Sequence, residues 1–206
     1  MMNKKNLSPS EKLLKAVWKG SIRAIKEALD EGADINAQDS TWGTALFIAS
    51  QHNHPKIVHF LLSRPGIDIV KGLVSTVPQG VAGCYFPLTH ELHNRSPLYA
   101  AIDNDDTSIM RMILSHPDKY KYMEDKKQWE SLIQGTFNYC FSPFALAELL
   151  LAAKPYPKLF QFTVNKAKRI AKSRDIKTQN FDDYIEKLLN WKRLSKEEKI
   201  NLFNTM

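Results

Sequence analysis

Ala24-Ile25-Lys26-Glu27-Ala28-Leu29 is one of five hexapeptides in this chain that share a single pattern. The others are Ile57-Val58-His59-Phe60-Leu61-Leu62, Ile109-Met110-Arg111-Met112-Ile113-Leu114, Ala145-Leu146-Ala147-Glu148-Leu149-Leu150 and Tyr184-Ile185-Glu186-Lys187-Leu188-Leu189. Each places apolar or small residues at i, i+1, i+4 and i+5, which fall on one side of an α-helix. The closing leucines stand at 29, 62, 114, 150 and 189, so the successive spacings are 33, 52, 36 and 39. A helix that recurs at a period near 33 buries its apolar face against its neighbours. The pattern therefore predicts a solenoid, and solenoids are binding surfaces more often than reaction vessels.

The 206 residues suffice for one stacked array, and 43% hydrophobic with 25% charged is an ordinary soluble composition. The opening residues, MMNKKNLSPSEK, contain no apolar h-region of a secretory signal. The most apolar stretch, Phe144 to Ala153, includes Glu148 and is too short to span a bilayer. It reads as a buried helix. Two cysteines, Cys84 and Cys140, give no disulfide framework, which fits a reduced, cytoplasmic setting. The net charge of +7 is uneven: residues 154–206 hold 13 Lys+Arg against 6 Asp+Glu, while residues 1–153 balance at 16 each. Lysine outnumbers arginine 22 to 7, which disfavours a bidentate reader of nucleic acid.

Working outward from the first hexapeptide, Ser8-Pro9-Ser10-Glu11 has the form of a capping box with proline in the first turn. The helix it opens should stop at Gly20, and Ser21 should cap the next, which ends at Gly32. Gly32-Ala33-Asp34-Ile35-Asn36-Ala37-Gln38-Asp39 is turn-forming. This segment resembles the GADVNAxD stretch that closes an ankyrin repeat. Thr44-Ala45-Leu46-Phe47-Ile48-Ala49 and Ser96-Pro97-Leu98-Tyr99-Ala100-Ala101 are similar to the TPLHxA start of the next repeat. In both, the family's His is replaced, by Phe47 and Tyr99, and Trp42 occupies the turn-glycine position with Gly43 one residue late.

The resemblance implies repeats at roughly 10–42, 43–68 and 95–128, with the clear likeness confined to about 10–118. A degenerate fourth repeat at about 129–155 has Leu132, Ile133 and Thr136 on its inner helix and Ser142-Pro143 opening the outer one. A further helix pair at about 158–173 and 180–192, then a Ser195-x-x-Glu198 capping box, complete a basic helical C-terminal cap at about 129–206. The expected fold is an all-α, ankyrin-like solenoid of antiparallel helix pairs with short finger turns, forming a single domain over 1–206. The 52-residue spacing marks an insertion of about 19 residues within 69–95. Val70, Leu73, Val74, Val77, Val81, Tyr85, Phe86 and Leu88 make it too apolar for a solvated linker. It is either a specificity element or a decoration that packs on itself.

Within the insertion, Cys84, His90 and His93, with Glu91 nearby, offer zinc-type ligands, but the spacing matches no zinc module and no metal is expected. No phosphate-binding glycine loop, HExxH or GxSxG is present, so an enzyme built around the insertion is the third reading and no cofactor is expected. His54 stands before an outer helix that begins at Pro55, where capping and packing are its expected roles.

Two surfaces remain. Lys166, Lys168, Arg169 and Lys172 spread over the polar side of a helix whose other side is Val164, Ala167, Ile170 and Ala171. That is either a solvated outer face or a peripheral binder of anionic surfaces, phosphoinositide or nucleic acid. The ankyrin resemblance, in turn, implies partner binding along a concave face of inner helices and fingers. Carried onto this chain, the positions are Lys15, Trp18 and Lys19; Ile48, Gln51 and His52; Ala100, Asp103 and Asn104; and, in the finger, Gln38, Asp39, Ser40, Thr41 and Trp42. Trp18 and Trp42 are the expected anchors, since large surface aromatics dominate interface energetics; packing within the chain is the alternative. Phe137 and Asn138 extend the strip if the fourth repeat keeps register. The resulting expectation is a monomeric, non-catalytic protein-interaction module. The poor TPLH consensus and the Lys/Asn-rich composition resemble ankyrin proteins of intracellular bacteria, several of which are secreted into host cells, and Glu197-Glu198 followed by Leu202-Phe203 resembles a type IV secretion signal.

Overall fold

In the computed structural model the described residues are 7–39, 42–73, 95–137, 142–174 and 181–198. Cys84, His90, His93 and Glu91, the second cysteine Cys140, the finger residues Ser40 and Thr41, Asn138, and the Leu202-Phe203 end lie outside them. The chain is all-α and ankyrin-like, and it divides into two compact units, 1–100 and 101–206.

The first unit begins with α1 (Pro9–Trp18) and α2 (Ile22–Asp30). Ser8 and Glu11 form the anticipated reciprocal box, with Ser8 N donating to Glu11 Oε2 at 2.8 Å and Glu11 N donating to Ser8 Oγ at 3.2 Å. Strand β1 (Gln38–Asp39) then pairs antiparallel with β2 (Gly43–Thr44), and Gly43 carries the left-handed turn at φ 77°. The Thr44 hydroxyl accepts from Phe47 N and so caps α3 (Ala45–Gln51), which α4 (Pro55–Leu62) follows. Helix α1 packs on α2, α3 on α4, and α1 on α3.

The chain after α4 lies along the first hairpin and is bonded to it side by side. Asn36 spans the two, donating to Gly66 O at 2.7 Å and accepting from Asp68 N at 2.8 Å. Gln38 donates to Gly72 O at 2.6 Å and Thr44 Oγ1 to Lys71 O at 2.9 Å. Residues 69–73 are therefore held against the repeat. Leu73 and Arg95 exchange backbone hydrogen bonds of 2.9 and 3.2 Å. This bridge repeats the logic of β1–β2, and it narrows the insertion from 69–95 to 74–94, joined at a closed neck. Ser96, next to the bridge, caps α5 (Pro97–Asp103) by accepting from Tyr99 N.

The second unit contains α6 (Thr107–Leu114), α7 (Tyr120–Glu124), α8 (Lys126–Gly135), α9 (Pro143–Ala153), α10 (Pro157–Ser173) and α11 (Phe181–Leu189). Helix α9 is central, packed by α6, α10 and α11, and α8 packs on α7 and α10. Leu132 and Ile133 are buried in α8 and Ser142 caps α9 at Ala145 N, as the degenerate fourth repeat requires. Thr136 lies just past α8, as its cap. The Ser195–Glu198 box forms as well, at 2.7 and 3.2 Å.

In the five hexapeptides the second and fifth positions are buried every time: Ile25 and Ala28, Val58 and Leu61, Met110 and Ile113, Leu146 and Leu149, Ile185 and Leu188. The sixth is more lenient, with Leu29, Leu62 and Leu189 only half-buried. The seam is thus an i, i+3 pair, and the flanking apolar positions widen it.

Candidate functional site: an exposed aromatic cluster

Three inner helices end in the same backbone motif. Gly20, Asn53 and Asp105 take left-handed φ values of 73°, 52° and 52°, and the next residue donates five residues back, Ser21 to Ala16 O, His54 to Ala49 O and Asp106 to Ala101 O. This is a Schellman closure, and Gly, Asn and Asp are the residues that accept it. The repetition makes Trp18, Gln51 and Asp103 equivalent, and likewise Lys19, His52 and Asn104. Trp18, Lys19, His52, Asp103 and Asn104 are exposed, Gln51 is half-buried, and Asp103 and Asn104 belong to the second unit.

In the first unit the equivalent turns place aromatic rings together. Trp18 and Trp42 meet edge to face, with ring centroids 5.8 Å apart at 69°. Trp18 also meets His52 at 6.1 Å and 83°, and His52 stacks on His54 at 6.1 Å and 23°. Trp42 N donates to Asp39 Oδ1 at 3.1 Å, which fixes the hairpin end that carries the indole. Despite these contacts Trp18 remains 48% and Trp42 47% exposed. Burial in the cluster, and secondarily the neighbouring His54, holds the His52 pKa below the ordinary histidine value. His52 is therefore a neutral ring at pH 7. Lys15 on α1 and Lys19 just past its end, both exposed, are the cations that flank the cluster in sequence, while Gln38 and Asp39 are half-buried in β1.

Three expectations need correction. Ile48 is 1% exposed and Ala100 4%, so neither reaches a partner. Residues 45–50 of α3 are all buried because α1, α4 and β2 surround the helix, leaving only its last residue, Gln51, half-buried. Phe137 is 1% exposed and is core. His54 holds the N-cap position of α4 but makes no side-chain cap bond, because its ring lies against His52 and over Gly20 instead. The packing role stands and the capping role does not. On the basic helix, Lys166 pairs with Glu130 of α8 and Arg174 donates to Phe137 O, so these two side chains are turned to internal partners. Lys168 is half-buried, and Arg169 and Lys172 are exposed.

Among the described residues no three His, Cys, Asp or Glu side chains gather into a metal-binding group, and no helix is long and apolar enough to cross a membrane. Residues 13–62, which run from within α1 through the first hairpin to the end of α4, match the family model for ankyrin repeats (many copies). Residues 13–62 carry ankyrin repeats. A stretch of 52 residues of the chain is also similar to part of the mouse (Mus musculus) 2-5A-dependent ribonuclease, at 46% identity. That stretch is 25% of this chain and 7% of the ribonuclease. Ankyrin repeats are generally protein-interaction modules, and the family is generally non-catalytic. The contact between Trp18 and Trp42 was the part of the ankyrin site that sequence reasoning missed. Its only signal was that both positions fall on the open side of the repeat register.

Proposed function

We propose that this ankyrin-repeat protein is a non-catalytic, monomeric protein-binding module anchored on the Trp18–Trp42–His52 cluster. The supporting observation is that two indoles stand edge to face against each other while each stays about half exposed, at 48% and 47%. Large aromatics fixed on a surface offer much contact area with little ordering left to do, the property of interface hot spots. The exposed Lys15 and Lys19 favour a partner segment with an apolar side chain between carboxylates.

A tagged protein is used to capture partners from a host-cell lysate, the captured protein is identified, and its affinity is measured by titration. Trp18→Ala/Trp42→Ala should weaken that affinity by at least ~100-fold, at about 2 kcal/mol per hot spot. Thermal unfolding should change little, because both side chains are surface-borne. An unchanged affinity would remove the cluster from the interface. The name of the mouse relative speaks of dependence on 2-5A, so 2-5A is added as competitor. Displacement of the partner by it would reassign the aromatic site to that ligand.

The resemblance to secreted bacterial ankyrin proteins supports a protein made in the cytoplasm and translocated into a host cell. A reporter fused to residues 180–206 should then be exported by a competent type IV secretion system. A reporter retained in the producing cell would sink the translocation reading and leave the binding reading intact.

A further inference from the structure

We infer that α10 is a second, independent docking surface, one that lies on an anionic lipid membrane by charge alone. The helix has 17 residues, and its sequence PKLFQFTVNKAKRIAKS holds five Lys or Arg and no carboxylate. One face is spent on the fold. Thr163, Val164, Ala167, Ile170 and Ala171 are buried, Trp129 Nε1 donates to Thr163 Oγ1 at 2.9 Å, and Lys166 pairs with Glu130.

The opposite face has a regular composition. Lys158, Gln161, Asn165, Arg169 and Lys172 are all exposed, at steps of three or four residues, so they form one line along the helix. At 1.5 Å per residue that line is about 21 Å long. Gln161 and Asn165, which bond each other at 3.0 Å, supply neutral spacing between cations. Lys126 of α8 adds one more cation beside the line, 5.0 Å over the Phe162 ring. Half-buried Lys168 flanks the line on its other side.

The chemistry of the line favours a headgroup layer over the other polyanions. Three of its four cations, Lys126 included, are lysines: compact, strongly hydrated charges without the planar fork that grips one phosphate or base. A diffuse layer of headgroups asks for no such geometry. No aromatic side chain stands on the line to stack a base, which single-stranded nucleic acid would exploit. No large apolar side chain stands there either, so contact is electrostatic and without insertion. Each cation near an anionic bilayer contributes about a fivefold gain in partitioning.

The test is sedimentation of the full chain with vesicles of phosphatidylcholine, with or without phosphatidylserine. The chain should pellet only with the serine-containing vesicles and be released by roughly 1 M salt, where screening falls to about 3 Å. Lys158→Glu/Arg169→Glu/Lys172→Glu should lower partitioning by at least ~100-fold. The neutral set Lys158→Gln/Arg169→Gln/Lys172→Gln should also lose binding, and it serves if charge reversal disturbs folding. Trp18→Ala/Trp42→Ala should pellet like the wild type, which separates this surface from the aromatic one. Equal pelleting with pure phosphatidylcholine, or retention of binding by the neutral set, would overturn the inference. So would displacement from the vesicles by single-stranded RNA at matched charge, which would make α10 a nucleic-acid surface.

Discussion

Gly72→Ala is expected to destabilise the 1–100 unit by about 3–5 kcal/mol, the largest effect of any conservative change in that unit. A Cβ at residue 72 would stand 1.7 Å from Arg95 O, 2.7 Å from Arg95 C and 2.9 Å from Ser96 Cα. These are backbone atoms, so no side-chain rotation makes room. The clash falls on the carbonyl that accepts from Leu73 N at 2.9 Å. Relief requires opening the neck, and the neck holds two other things in place. Gly72 O accepts from Gln38 of the first hairpin, and Ser96 opens α5. The methyl group thus acts at three points through one displacement. Gly32→Ala is the control. Gly32 has φ 90° but nothing within 4 Å of its added Cβ, so only the left-handed penalty of about 1–2 kcal/mol applies. Urea unfolding followed by far-ultraviolet circular dichroism should separate the two variants clearly. Equal midpoints would mean that the neck does not support the repeat.

The parts of this fold that could be read in the sequence are those whose chemistry is local. Ser8 with Glu11, Ser21, Thr44, Ser96, Ser142, and Ser195 with Glu198 all cap as their spacing to the next helix dictates. A cap involves three or four neighbouring residues, and a short window contains all of them. The seam residues were equally plain, since burial at i and i+3 leaves a periodic trace. His54 shows where local reading ends. Its position is that of a cap, but its ring is claimed by His52 and by the space over Gly20, and both depend on how two turns approach each other.

Ile48 makes the same point at the candidate site. It shares a register position with exposed Lys15, and the sequence alone ranks the two together. What separates them is the set of neighbours around α3, a tertiary property. Trp18 and Trp42 are the converse case. Register marked both as surface residues, and the structure adds that they touch at 5.8 Å across 24 residues of chain. Side chains that long sample many rotamers when isolated. Each narrows the other's choices here, so the cluster is more ordered than two separate surface tryptophans would be.

Arg111→Ala should destabilise the 101–206 unit by about 3 kcal/mol, although Arg111 is on the surface of α6. The reason is Glu148. Its side chain is 5% exposed within α9, the most apolar helix of the chain, and a carboxylate there requires a counter-charge. Arg111 Nε donates to Glu148 Oε1 at 2.9 Å and its NH2 donates to Thr107 Oγ1 at 3.0 Å. The guanidinium also lies 5.5 Å over Trp191, whose indole packs on Phe144 at 4.8 Å. Among the described residues, removing Arg111 leaves only Lys192, 3.7 Å away and half exposed, beside a buried charge. That residual pairing keeps the loss toward the lower end of the range for a broken buried pair. Arg111→Lys keeps the charge but not the fork that bonds both Glu148 and Thr107, so an intermediate loss of about 1–2 kcal/mol is expected. The decisive variant is Arg111→Met/Glu148→Leu. If the penalty comes from stranding the carboxylate, the double change should recover most of the stability, because apolar side chains of similar volume serve a buried pair's place. A double variant less stable than Arg111→Ala would show that the pair itself, rather than the avoidance of an unpaired Glu148, holds α6, α9 and the Trp191 turn together.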